Sequence, residues 1–193
     1  MKNSIQLLIP LTIISLLPIY AHAHKPADEL KLTSEAKKIV KSFGGTLKPK
    51  LKQAIQSGGL VHAIDICAVE APKIAKALSQ ETQWDISRVS LKTRNAKNAT
   101  ANNYEQKILQ QFAQQKDQGK TKQAANPLEH AEIVNNEFRF MKAQLIEGVC
   151  LNCHGSSIAP EVKQALQKHY PNDKATGYSL GDVRGAFSLV KKL

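Results

Sequence analysis

Methionine is almost absent from this 193-residue chain, which has Met1 and Met141 and no other. Cysteine occurs three times, an odd number, and aromatic residues make up 5% with a single tryptophan. After residue 20 there is no long apolar run, no internal repeat and no block of like charge. Three cysteines cannot form the evenly paired framework of a small disulfide-stapled secreted domain. The lack of a later apolar run excludes a second membrane span. The basic excess, +11 in all, prompts a nucleic-acid reading, but the lysines are dispersed and have no aromatics interleaved between them. They read as solvated helix faces, with docking to an acidic partner or an anionic surface as the functional alternative.

What the chain does have begins at its N-terminus. Lys2 precedes an apolar run from Ile5 to Tyr20 that contains Pro10 and Pro18 and ends in Ala21-His22-Ala23. A short apolar core followed by small-x-small is the pattern of a cleaved signal peptide, so residues 1–23 are expected to be removed. An uncleaved anchor is the competing reading. Export argues against nucleic acid as a partner and points to a periplasmic, Gram-negative-like location. Residues 24–193 suit one domain with a sizeable core and no stable membrane span.

Periodicity places the elements. Residues 26–57 read as helix on both sides of an interruption at Gly44-Gly45, with Pro49 near the start of the second piece. In "LVHAIDICAVEAPKIAKALS", Leu60, Ile64, Cys67, Ala71, Ile74 and Leu78 form one apolar helical stripe, with a possible restart at Pro72. Trp84–Arg94 changes to a strand pattern through Ile86, Val89 and Leu91, and turn-rich residues follow. Residues 104–118 read as helix, and 113–127 as an exposed helix end and loop. "NEFRFMKAQLI" reads as a strand leading into a cysteine motif. The tail reads as a glycine-punctuated turn and a terminal strand, "GAFSLV". Helices come mostly first and strands mostly later, so the expected class is α+β.

The motif is Cys150-Leu151-Asn152-Cys153-His154. Two thiols three residues apart on one turn reach the two vinyl groups of a porphyrin, and the adjacent histidine is placed as proximal iron ligand. A zinc site would need a second Cys or His pair at ligand spacing, and none is present. A thioredoxin-like pair belongs early in a βαβ unit, whereas this motif lies near the C-terminus. One covalent haem c is therefore expected. A methionine downstream of the motif, as in small electron carriers, is excluded, because Met141 lies upstream and alternates as a strand core residue. His62, His130 and His169 are alternatives for the second axial position. So is Cys67, an otherwise unpaired thiol on an apolar helix face in an oxidising compartment.

Four segments resemble the single-haem c-type cytochromes with a PAS-like fold, which occur as stand-alone periplasmic proteins and as sensory domains. They are "AIDICAVEAPKIAKALS" (63–79), "RVSLKTRNAKNA" (88–99), "CLNCHG" (150–155) and "YPNDKATGYSLGDVRGAFS" (170–188). The resemblance implies an antiparallel sheet with flanking N-terminal helices and the haem between the sheet and the Cys67 helix. It implies His154 and Cys67 as the iron ligands. Arg94, Tyr178 and Arg184, which lie in the family-like segments, become candidates for holding the haem propionates. One departure is Arg94-Asn95-Ala96, where the family tends to have Arg-Asn-Pro. No fused signalling segment is visible in the chain.

An imidazole–thiolate pair stabilises ferric haem and leaves no open iron position for a substrate, so no enzyme is expected. The expected function is a low-potential, redox-responsive haem protein for redox or gas sensing, working with a signalling partner. The alternative is an electron-transfer cytochrome docking an acidic redox partner.

Overall fold

The computed structural model describes residues 26–119 and 128–193, so the expected signal peptide and residues 120–127 lie outside the described residues. The class is α+β, as expected. It holds a four-stranded, wholly antiparallel sheet in the order β1-β4-β3-β2. The strands are β1 (Asp85–Val89), β2 (Glu129–Val134), β3 (Glu137–Leu145) and β4 (Val183–Lys192). The helices are α1 (Pro26–Thr82), α2 (Ala96–Ala99), α3 (Asn103–Asp117), α4 (Leu151–His154) and α5 (Pro160–His169). Among the described residues no helix is long and apolar enough to cross a membrane.

The first helical stretch departs from its expected layout. Helix runs through Gly44-Gly45, Pro49 and Pro72, and the break falls instead at Gly59 (φ 72°, ψ −168°). That backbone region is open almost only to glycine. Gly44 and Gly45 keep helical geometry because their neighbours Phe43 and Leu47 are pinned in the core. A second observation fixes the direction of the break. Lys50 Nζ lies 2.9 Å from the Glu70 carboxylate, yet twenty residues of straight helix would separate them by about 30 Å. The arms 26–58 and 60–82 therefore fold back as an antiparallel pair.

Both arms bury their apolar stripe on one face of the sheet. Ala36, Ile39 and Phe43 from the first arm and Ile74 from the second meet Trp84, Ile86, Phe138, Phe140, Phe187 and Leu189. The opposite face carries Val89, Met141 and Ala186 under Ile108, Leu109 and Phe112 of α3. Strand alternation explains the division, since successive residues such as Phe140 and Met141 point to opposite faces. The flanking helices are thus not confined to the N-terminus, because α3 covers the second face. α3 starts at a reciprocal cap: Asn102 Oδ1 accepts from Glu105 N (3.0 Å) and Glu105 Oε2 accepts from Asn102 N (2.9 Å).

Three further differences from the expected layout follow from local chemistry. The strand expected over Trp84–Arg94 ends at Val89. The Ser90 hydroxyl lies between the carbonyls of Lys92 (2.9 Å) and Arg184 (2.8 Å) and turns the chain away. β2 was not expected, because only Ala131 and Ile133 of "EHAEIV" pack on the core. α5 was also not expected, although Val162 and Leu166 stand one turn apart and Pro160 opens it.

Gly59→Ala should lower stability by about 1–3 kcal/mol, because alanine cannot adopt this backbone conformation without strain. Urea unfolding should show a lower midpoint with little change in slope.

Candidate functional site

The Cys-x-x-Cys-His segment forms a short helical turn immediately after β3. A 3-10 turn over Gly148–Cys150 runs into α4, which ends at Gly155. A Cβ on Gly155 would lie 2.6 Å from the Leu151 carbonyl oxygen, so the turn closes only with glycine there. The two thiols face different surroundings. Cys150 packs beside Ile146, Ala175 and Tyr178, and Cys153 packs beside Ile64, Ile158, Val162 and Leu166. All three cysteines are free thiols.

His154 is held by the loop that follows α5. Its Nδ1 lies 2.7 Å from the Ala175 carbonyl oxygen, and Tyr178 N donates to the His154 carbonyl at 3.0 Å. Arg184 Nε also lies 3.2 Å from Nδ1. One nitrogen cannot both donate to Ala175 and accept from Arg184. The shorter contact assigns the proton to Nδ1, which makes the Arg184 contact an abutting charge. Nε2 then carries the lone pair, and an N–H of Arg94 points at it from 3.3 Å. Burial, reinforced by Arg184 and Arg94, pushes the His154 pKa down to about 3, with only the Ala175 carbonyl opposing. The imidazole is neutral at any physiological pH, as a metal-ligating histidine must be.

Cations crowd around it. Arg94 donates through Nε to Asp173 (3.0 Å) and through one terminal nitrogen, Nη2, to the carbonyls of both Cys153 and Ala175. Arg184 donates to the Ser90 hydroxyl (2.9 Å) and the Lys92 carbonyl (3.2 Å). Its guanidinium and the Lys92 ammonium both face the Tyr178 ring, at 5.6 and 4.5 Å. Tyr178 in turn stands edge-on to His154, with ring centres 6.3 Å apart. Burial lowers the pKa of Arg184 to about 10, with Arg94 and Arg88 adding to the effect and Tyr178 opposing it. Burial likewise lowers that of Arg88. A Cβ on Gly185 would meet the Val89 carbonyl oxygen at 2.4 Å, so glycine is what lets the end of β1 lie this close to β4.

Cys67 faces the same cluster from the second arm of α1. Burial pushes its thiol up, while Arg88 and Arg94 pull it down. Burial also raises Cys153, which Arg94 lowers and Cys67 raises further. The structure thus brings together Cys67, Arg94, Cys150, Cys153, His154, Tyr178 and Arg184. The alternative histidines lie elsewhere. His62 is exposed, His130 packs edge-on to Tyr104, and His169 Nε2 lies 2.6 Å from Asp65. Met141 is fully buried under α3, as a core residue.

Sequence reasoning missed Arg88, Lys92 and Asp173. Arg88 alternates onto the α1 face of β1, where its guanidinium lies 5.4 Å from the Phe43 ring centre. Strand alternation could have flagged it. Asp173 lies within a segment singled out for resemblance, but its pairing with Arg94 has no local signal.

The donor set fits a covalently held haem. It offers two thiols on one turn, an imidazole with its lone pair on Nε2, and a third thiol, Cys67, within electrostatic reach of Cys153, Arg88 and Arg94. Beside the Arg94–Asp173 pair, Arg88, Lys92 and Arg184 supply three further cations. That excess suits the carboxylates of a porphyrin.

Residues 19–191 match the model of the Tll0287-like family. The chain belongs to that family. A solved structure, described as the crystal structure of the cyanobacterial heme-protein Tll0287, is similar with a TM-score of 0.60. The two are 21% identical, and the match covers 88% of this chain and 97% of that one. At that identity the likeness establishes a shared fold. No curated protein matches the chain.

The depressed His154 pKa sets a pH dependence for the haem-free chain. The unfolded chain takes up a proton at His154 as pH falls below about 6.5, while the folded chain refuses it down to about 3. The stability present above pH 6.5 should therefore fall by roughly 1.4 kcal/mol per pH unit through that window. His154→Gln should remove this part of the slope in urea unfolding followed against pH.

Proposed function

We propose that this Tll0287-like chain is a periplasmic protein that holds one haem c and responds to redox state. In this reading residues 1–23 are its signal peptide and 24–193 one PAS-like domain. The haem is attached through Cys150 and Cys153, lies between the sheet and the second arm of α1, and has His154 and Cys67 as axial ligands. The observation that carries the reading is the 2.7 Å approach of His154 Nδ1 to the Ala175 carbonyl oxygen. Nδ1–H is committed to the Ala175 carbonyl, leaving Nε2 as the electron-pair donor on the same turn as two free thiols. The name of the solved relative, a heme-protein, points the same way.

When bound, the haem supplies a one-electron centre whose oxidised form is favoured by an imidazole–thiolate pair. The remaining chemistry belongs to the chain. Ala175 fixes the His154 ring and withdraws its proton towards the carbonyl, raising the basicity of Nε2. Arg88, Lys92 and Arg184 offer donors to carboxylates. Cys67 is held as the thiol, since burial raises its pKa and the guanidiniums of Arg88 and Arg94 offset that only in part. A change in charge at the site therefore changes the tendency of Cys67 to hold its proton, and its arm is hinged at Gly59. That coupling supports redox or gas sensing through a signalling partner over enzyme chemistry, and neither reading involves nucleic acid. The second reading, an electron carrier docking an acidic redox partner, is favoured by the net charge of +11.

Alanine at Cys150 or at Cys153 should each remove one thioether and shift the pyridine-haemochrome band. Unshifted bands in both variants would sink the attachment. Cys67→Ala should abolish a thiolate-type low-spin signal in ferric electron paramagnetic resonance and raise the midpoint potential. An unchanged spectrum would place the second ligand elsewhere. Rapid carbon monoxide binding after reduction separates the sensor from a carrier, which keeps both ligands.

A further inference from the structure

We propose that Asp173 and Arg94 are positioning residues for His154, and that their opposite charges set the reduction potential of the group it holds. The proposal rests on the haem reading above. Sequence resemblance suggested Arg94 as a propionate anchor, but Nε and one terminal nitrogen are spent on the chain itself, and the nitrogen facing His154 Nε2 would give way to an iron bound there. Nε goes to Asp173, one terminal nitrogen to the carbonyls of Cys153 and Ala175, and the other faces His154 Nε2. Asp173 completes a ring. One of its oxygens accepts from Arg94 Nε at 3.0 Å, and the other accepts from the Ala175 backbone N–H at 2.8 Å. The Ala175 carbonyl closes the ring by accepting from His154 Nδ1 at 2.7 Å. Both charged side chains are nearly enclosed, at 12% and 11% exposure, so solvent screens them little.

Two effects follow, and they act in the same direction. Arg94 competes with His154 for the Ala175 carbonyl, at 3.3 Å against 2.7 Å. Each donor on that oxygen weakens its pull on the Nδ1 proton and makes Nε2 a poorer electron donor. Arg94 also places a positive charge beside the imidazole, which disfavours the oxidised, more positive state of the centre. Asp173 offsets that charge and holds the guanidinium in place. Neighbouring connections keep the ring rigid: Lys174 N donates to the Thr93 carbonyl (2.8 Å) and Gly177 N to the Gly155 carbonyl (2.9 Å).

The test is the midpoint potential of haem-loaded protein, measured by spectroelectrochemistry. Asp173→Asn leaves the Arg94 charge unbalanced and should shift the potential upwards. Arg94→Gln should shift it downwards, because the competing donor and the positive charge go together and Asp173 stays. The double variant Arg94→Gln/Asp173→Asn removes both buried charges, avoids an orphaned ion, and should fall between the two single variants. Opposite signs are the discriminating result, since loosening the loop would admit water in both variants and move both the same way. Shifts of the same sign, no shift, or a double variant outside the interval would overturn the proposal while leaving the haem reading intact. Wild-type protein that carries no covalent haem by pyridine haemochrome would overturn both.

Discussion

Positive charge gathered where water is scarce is the constraint on which the site depends. Arg88, Arg94 and Arg184 converge on His154, and burial depresses the pKa of both Arg88 and Arg184. Taking guanidiniums out of water is costly unless something negative or polar meets them. The chain meets part of the cost with backbone carbonyls, those of Lys92, Cys153 and Ala175, and with Asp173. Those same carbonyls belong to the segments that orient His154, so charge compensation and ligand orientation are one network. The fold serves this network by bringing three distant segments together: the loop after β1, the turn after β3 and the loop before β4.

The chemistry was legible in the sequence where it is local. Cys150-x-x-Cys153-His154 specifies its own geometry, because two thiols three residues apart on a turn have little freedom. The apolar stripe through Ile64, Cys67 and Ile74 was equally readable, as was the alternation of Phe138, Phe140 and Met141. The illegible parts depend on partners distant in sequence. Asp173 matters because Arg94 is there, 79 residues away, and nothing adjacent to either residue announces the pairing. β2 is an edge strand whose polar residues alternate with only Ala131 and Ile133, too weak a pattern to separate from loop. The hinge was misplaced for a related reason. Gly44-Gly45 and Gly58-Gly59 are both glycine pairs that a local reading cannot rank, and core contacts at Phe43 and Leu47 hold the first pair in helix.

Cys150 and Cys153 contribute to two separate apolar clusters, one around Ile146 and Tyr178 and one around Ile64 and Val162. The first lies against the loop that holds His154, and the second joins the Cys67 arm to α5. The two thiols of one short turn therefore touch both halves of the site. This explains why four residues of helix, too short to be stable alone, can hold a fixed orientation: their stability comes from contacts on both sides.

The strand order has a bearing on biosynthesis. β4, which follows the other described elements in sequence, occupies the interior of the sheet, with β1 on one side and β3 on the other. Its pairing with β1 spans about a hundred residues, as in Ser87 opposite Ser188. A growing chain cannot complete its sheet residue by residue, because the gap between β1 and β3 stays open until residues 183–192 emerge. Arg184 arrives with that strand, so the charge around His154 is also assembled last. Such a chain keeps its sheet open until the strand that joins β1 to β3 has been made. Losing residues 183–192 would remove an interior strand of the sheet instead of trimming its edge.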